Sequence, residues 1–425
     1  MRLADTTSTG VAPALASAIG ALVGGELPVR LIAWDGSAAG PATAPTVRLR
    51  SAMALRRLLW HPGELGAAQA YVCGDLDVDG DLGSALSHVW SEIAERRLTS
   101  IRASPCALVR LVAAAAKLGA LRGPPSPPAT QARMRGRLHS FSRDSRAIRH
   151  HYDLSNAFYG LILDPSMAYS CAYWEPSRPH TTLEQAQYDK LDRICRKLGL
   201  HEQPGMRLLD VGCGWGSLTL HAAERYGAQV VGVTLSGEQK AYIEAALTER
   251  GLGDRVSVRV QDYRTVTDGP FDAAASIEMG EHVGLANYPV YARILHNSVC
   301  PGARVLIQQM SRRGTHPGGG PFIESFIAPD MNMRPLGHTV ALLEDAGLAT
   351  ISVEAMREDY VRTAQAWIEN LETHWEEAVS MIGEEAARVW RLYLAGGRLA
   401  FMQRRMCVDQ ILLTRPAAVA GGTTR

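Results

Sequence analysis

The apolar run Arg207-Leu208-Leu209-Asp210-Val211 passes directly into Gly212-Cys213-Gly214-Trp215-Gly216, and a helical pattern follows over about 216–226. Glycines at alternate positions after a strand predict a tight turn that lets backbone approach a ligand closely. Strand–loop–helix units of this kind build a mostly parallel sheet covered by helices on both faces. Ligands then bind at the carboxyl ends of the strands. The pattern extends in both directions. Thr182 followed by Gln185 reads as a capping box. Leu183, Gln187, Leu191, Ile194, Cys195 and Leu198 then repeat at helical spacing. Further strands are expected at 229–233, 255–260, 271–277, 303–309, 350–354 and 407–414, which makes seven. The expected fold class is α/β: a seven-stranded, Rossmann-like, doubly wound sheet preceded by a smaller N-terminal α+β domain.

At 425 residues the chain has room for two or three domains. The division expected is 1–122 for the N-terminal domain, 123–150 for a linker and 151–425 for the α/β domain. The linker opens with Gly123-Pro124-Pro125-Ser126-Pro127-Pro128, which fits neither regular helix nor central strand. Arg133, Arg135, Arg137, Arg143, Arg146 and Arg149 follow, opposed only by Asp144. With the apolar run Leu108–Leu118 and its flanking cations, this basic stretch suits an anionic membrane surface. The formal net charge of +1 excludes a broadly basic nucleic-acid binder. No apolar stretch reaches the roughly 18–20 residues that span a bilayer. The seven cysteines are scattered without a C-x-x-C pair, which speaks against disulfides and structural zinc and for a cytoplasmic setting. The acidic cluster Asp75, Asp77, Asp79 and Asp81 lacks the glutamate a calcium loop needs, Leu86 standing in its place, and reads as a solvated turn.

The loop spacing is G-x-G-x-G, not the dinucleotide G-x-G-x-x-G. The second strand ends in Val233-Thr234-Leu235-Ser236 with no acid for a ribose. A nicotinamide site is therefore disfavoured. The motif resembles the S-adenosyl-L-methionine (SAM) loop of seven-strand methyltransferases. That resemblance puts Asp210, Gly212, Gly214 and Gly216 around the methionine side, Thr234 and Gln239 near the ribose, and Asp262 and Tyr263 near the adenine.

Outside the loop the likeness sharpens. His151-Tyr152-Asp153-Leu154-Ser155-Asn156, Met167-Ala168-Tyr169-Ser170-Cys171-Ala172-Tyr173-Trp174, Glu281-His282-Val283-Gly284 and Glu358-Asp359-Tyr360 resemble segments of the cyclopropane-fatty-acyl-phospholipid synthase family. The likeness covers roughly residues 40–415. The N-terminal region is similar to that family's small lipid-binding domain. The methyl acceptor in that family is the carbon–carbon double bond of an acyl group. Methylation leaves a carbocation that must be shielded from water and then deprotonated. The resemblance implies bound bicarbonate as the base, cradled by Cys171 (backbone and thiol), Glu281 and Tyr360, with Tyr169 and Ser170 touching SAM. It implies that Trp174 and Trp367 form pocket wall or core.

One position departs from the family pattern. Cyclopropane synthases carry a histidine at the end of the fifth core strand, and Gln308 stands there. A glutamine can hydrogen-bond an anion but cannot become cationic. With Pro321–Met331, this feature resembles an actinobacterial branch that makes 10-methylene fatty acids. The implied partners are unsaturated phospholipid acyl chains at the inner face of the cell membrane and a separate reductase. A homodimer is expected by family analogy, and no nucleic acid or metal.

Overall fold

The computed structural model describes residues 10–23, 25–96, 119–132, 155–314 and 318–417, with 113 and 116 as isolated positions. The arginine-rich stretch 133–149, most of Leu108–Leu118 and His151–Leu154 lie outside the described residues. The chain gathers into two compact units. One holds Met1–Gln131, Gly320–Phe326 and Ile382–Leu399, and the other holds Ala132–Gly319, Ile327–Met381 and Ala400–Arg425. Two segments of the carboxyl-terminal half thus pack with the first unit, so the units are not contiguous in sequence as a division at 122 and 150 expects.

The first unit contains α1 (Val11–Val23), β1 (Arg30–Ile32), β2 (Ala38–Ala39), β3 (Thr46–Leu49), α2 (Ala52–Trp60), α3 (Glu64–Val72), β4 (Leu76–Val78) and α4 (Leu82–Glu95). Its four-stranded sheet has the order β2-β1-β3-β4, with β1 and β3 parallel and the outer pairs antiparallel. Leu15, Leu31, Leu49, Leu55 and Ala70 form its core. The acidic cluster is not a solvated turn but contains β4. Asp75 pairs with Arg57, Asp77 with Arg50, Asp79 with Arg48, and Asp81 caps α4 through the Ser84 amide. Each acid therefore has a structural partner.

The second unit is built from α5 (Asn156–Ile162), α6 (Leu183–Lys197), β5 (Arg207–Val211), α7 (Ser217–Tyr226), β6 (Gln229–Thr234), α8 (Gly237–Arg250), β7 (Val256–Val260), β8 (Phe271–Ile277), α9 (Tyr288–Ser298) and β9 (Val299–Arg312). After α10 (Pro321–Phe326) of the first unit come α11 (Leu336–Asp345), β10 (Ala349–Ala355), α12 (Arg357–Thr373) and α13 (Trp375–Ile382). Next is α14 (Glu384–Met402), most of which belongs to the first unit, and then β11 (Met406–Thr414).

The seven strands have the order β10-β11-β9-β8-β5-β6-β7. The five from β9 to β7 run parallel, and β11 is antiparallel to both its neighbours. Successive side chains leave a strand on opposite faces. Leu208 accordingly packs with Leu191, Leu218 and Ile243 from α6, α7 and α8, while Leu209 packs with Tyr291, Leu295 and Leu343 from α9 and α11. Ala273, Ala274 and Ala275 keep the central strand thin between these two layers. The Thr182 hydroxyl accepts from the Gln185 amide, but the Gln185 side chain bonds Asp189, so only half of the expected capping box forms.

Arg388 is a buried cation within the first unit. It donates to the carbonyls of Tyr71 (2.7 Å) and Leu76 (3.0 Å), and its guanidinium lies 4.3 Å from the Tyr71 ring centre. Arg388→Ala leaves both carbonyls without this donor, and an orphaned buried acceptor costs about 1–3 kcal/mol. Denaturant unfolding should show a loss of at least about 2 kcal/mol, with Arg388→Lys recovering only part of it because one ammonium cannot serve both carbonyls in a plane.

Candidate active site

The glycine loop turns at the carboxyl end of β5. Gly212 has φ 80°, and a side chain there would meet Met279 Cγ at 2.9 Å. The loop backbone, with Asp210 beneath it, forms the floor of an open cleft. Around it stand Tyr169 and Ser170, then Thr234 and Gln239, then Asp262 and Tyr263. The Thr234 hydroxyl donates to Gln239 Oε1 at 2.6 Å, which fixes that amide. Asp262 caps the short turn Tyr263–Thr265 and is clasped by Arg264, leaving the Tyr263 ring on the wall. Gly214 lines the cleft, but Gly216 does not. With φ 82° it starts α7 and faces Ile243, so its glycine is needed for packing rather than for ligand contact, a correction to the expectation.

The Met167–Ala172 segment is held from below by α6. Gln187 donates to the carbonyls of Ala168 and Ser170, and Lys190 Nζ donates to Ser170 Oγ at 2.8 Å. Lys190 is 1% exposed, and burial lowers its pKa against the pull of Glu278 and Asp164. Burial likewise pushes Asp210 up to about 6, although Thr219 donates to it at 2.7 Å. Neither Lys190 nor Glu278 is singled out by the sequence motifs. The signal for Glu278 was its position, one residue past a core strand of an α/β sheet.

Glu278 is where three of the expected catalytic residues meet. The Cys171 amide donates to its Oε1 at 2.8 Å, Gln308 Nε2 donates to the same oxygen at 2.8 Å, and the Tyr360 hydroxyl donates to Oε2 at 2.7 Å. The Cys171 thiol takes no part. It points to the carbonyls of Ala172 and Met356, and burial raises its pKa far above the usual range. Glu281 is buried beneath the cleft wall, with no partner for Oε2 and no hydrogen bond to Cys171, Gln308 or Tyr360. Burial and the neighbouring Glu278 carboxyl push it up to about 8. His282 lines the cleft.

Aromatic rings run from the glycine loop to Tyr360. Trp215 meets Tyr159 at 4.4 Å, Tyr159 meets Tyr169 at 5.7 Å, Tyr169 meets Trp367 at 5.4 Å, and Trp367 meets Tyr360 at 6.0 Å between ring centres. Trp174 instead serves packing, its indole N–H bonded to Thr363. The glycine loop, the hydroxyl–amide pair past β6 and the Tyr263 wall match the groups a SAM molecule requires. The residues implied for bicarbonate do not match that anion. Their donors are satisfied by Glu278, and Glu281 would set a second carboxyl against it.

Strand order, loop and cleft together define a SAM-dependent methyltransferase. Likeness to known proteins gives the family. Residues 139–411 match the model of the mycolic acid cyclopropane synthetase family. The probable fatty acid methyltransferase Rv3720 of Mycobacterium tuberculosis is 38% identical over 401 residues, 92% of each chain. The cyclopropane-fatty-acyl-phospholipid synthase of Escherichia coli K12 is 35% identical over 267 residues, 63% of this chain and 67% of that one. The crystal structure of mycolic acid cyclopropane synthase CmaA1 complexed with SAH and CTAB superposes with a TM-score of 0.59 at 29% identity. That match covers 64% of this chain and 98% of the other. The chain belongs to the mycolic acid cyclopropane synthetase family.

Glu281 yields a stability test. Its folded-state pKa lies above the unfolded one, so the unfolded chain gives up this proton first as pH rises. Its contribution is neutral below the unfolded pKa of about 4.3 and increasingly destabilising up to about 8. Glu281→Gln removes that slope. Thermal unfolding should show the variant gaining on the wild-type protein between pH 5 and pH 8, with no further gain above it.

Proposed function

We propose that this protein transfers the SAM methyl group to the double bond of an unsaturated phospholipid acyl chain and releases a 10-methylene acyl product. The names of its relatives, matched over 92% of its length, support the acyl substrate. The observation that carries the product is Gln308. It is fully buried, its amide is committed to Glu278 and Gln410, and it cannot take up the proton a histidine there could hold.

SAM supplies the methyl as an electrophile, and the alkene carbon next to the new bond is left cationic. Tyr169, Trp215 and Tyr263, which line the cleft, suit such a cation, since aromatic rings attract positive charge and exclude water. Loss of a proton from the new methyl while the cation stays in place closes a cyclopropane. If a hydride first shifts onto the cationic carbon, loss of the same proton gives an exocyclic methylene. A glutamine at 308 favours the second course because, unlike a histidine, it can neither accept nor relay the proton, which leaves proton transfer slower than the shift.

No helix among the described residues is long and apolar enough to cross a membrane. On this reading acyl chains are met at the cytoplasmic membrane face, where the basic composition of 133–149 suits anionic headgroups. Reduction of the methylene to a methyl branch needs a hydride donor, and so a separate reductase.

Purified protein, SAM and oleoyl-phospholipid vesicles, with the product fatty acid read by proton NMR, test this. Vinylidene protons are the expected result; cyclopropane ring protons would assign the alternative product. Gln308→His should divert a measurable share of product to the ring, and its producing none would count against the assigned role of Gln308.

A further inference from the structure

We propose that the side-chain carboxylate of Glu278 is the base that removes the product-forming proton, in place of a bound bicarbonate. The inference rests on the acyl-methylation reading and deepens it. Three donors from three separate elements converge on this one carboxylate: the Cys171 amide, the Gln308 amide and the Tyr360 hydroxyl, at 2.7–2.8 Å. They are the groups that the family resemblance would aim at an anion. Here the protein supplies the anion itself, and Glu278 lines the same cleft as the glycine loop.

Two further observations agree. The backbone of Glu278 is left-handed, with φ 52°, a conformation that favours glycine and costs a glutamate of the order of 1–2 kcal/mol. The three hydrogen bonds offset that cost, and strain held this way is characteristic of a functional position. The polarity of the Gln308 amide is also fixed. Lys197 can only donate, so it takes Gln410 Oε1 at 2.6 Å. Gln410 then presents Nε2 to Gln308 Oε1 at 2.8 Å, and Gln308 is left with Nε2 facing Glu278. A series of amides that begins at a cation thus delivers a donor to the carboxylate.

The step balances. A C–H bond of the transferred methyl breaks, its electron pair becomes the new carbon–carbon bond of the product, and the proton passes to Glu278, which becomes a neutral acid. The proton then leaves to solvent before the next turnover. The donors on both oxygens occupy lone pairs that would otherwise compete for the methyl group.

The test uses the full-length protein and two variants. Glu278→Gln keeps size and part of the hydrogen bonding; Glu278→Gly suits the left-handed backbone and opens space for a small anion. Two readouts are needed: turnover on oleoyl-phospholipid vesicles in carbon-dioxide-depleted buffer with and without bicarbonate or formate, and binding of carbon-13-labelled bicarbonate by NMR. The wild-type protein should be indifferent to bicarbonate and should not bind it. Both variants should bind SAM by calorimetry yet lose turnover by about 10²–10⁴-fold, the usual worth of a general base. Glu278→Gly should acquire bicarbonate binding and regain turnover with either anion. Wild-type turnover that depends on bicarbonate, wild-type binding equal to that of Glu278→Gly, or full activity of Glu278→Gln would each overturn the proposal. A wild-type protein that makes no lipid product would sink the acyl-methylation reading instead. The bicarbonate-binding comparison would then still decide whether Glu278 fills the anion site.

Discussion

A buried carboxyl, Glu278, on which three donors converge is the constraint around which the site of the second unit is arranged. Left alone, such a group would take up a proton, because burial penalises the charge by several kcal/mol. Burial does push Glu278 upward. What opposes it is the set of donors from the Cys171 segment, β9 and α12, together with the positive field of Lys190. Those elements are remote in sequence. The sheet order brings them together, since β9 lies between β8 and β11 and carries Gln308 beside the end of β8.

Glu281 fits the same logic. Two carboxyls within one buried region cannot both ionise cheaply. Raised to about 8, Glu281 stays neutral near pH 7 and adds no second negative charge beside Glu278. Its lack of a partner at Oε2 is tolerable for a neutral acid and would be costly for a carboxylate. The two glutamates, three residues apart, divide the roles by environment: one satisfied by donors, the other held protonated.

Much of this was legible in the sequence, and the limits have physical reasons. Alternating apolar runs located all seven strands, because a doubly wound sheet needs them buried on both faces. The glycine loop marked the cleft, and Cys171, Gln308 and Tyr360 do converge. Glu278 escaped because a non-glycine residue carries no local sign of a left-handed backbone; only the finished packing shows that its side chain turns back over the strand end. Of the two Cys171 groups expected at the site, the backbone amide makes the contact, while the thiol turns to the Ala172 and Met356 carbonyls. Gly216 was read with its neighbours, yet its constraint comes from Ile243 on another helix. The placement of 320–326 and 382–399 in the first unit rests on contacts such as Glu64 with the Phe322 amide, which span about 250 residues and leave no periodic trace.

A base built into the protein differs from a borrowed one in timing. A bound anion must be captured and can exchange between turnovers, whereas Glu278 is tethered at fixed reach and is held by three hydrogen bonds that must loosen as it accepts a proton. Those bonds lower its basicity, and this slows proton transfer relative to an intramolecular hydride shift, which needs no base. In the proposed reaction, the donors that favour the charged carboxylate would also bias the cation toward the methylene. Gln308 belongs to this argument through its geometry: replacing a group that can be cationic with a neutral amide keeps the base oriented without adding a second charge to the site.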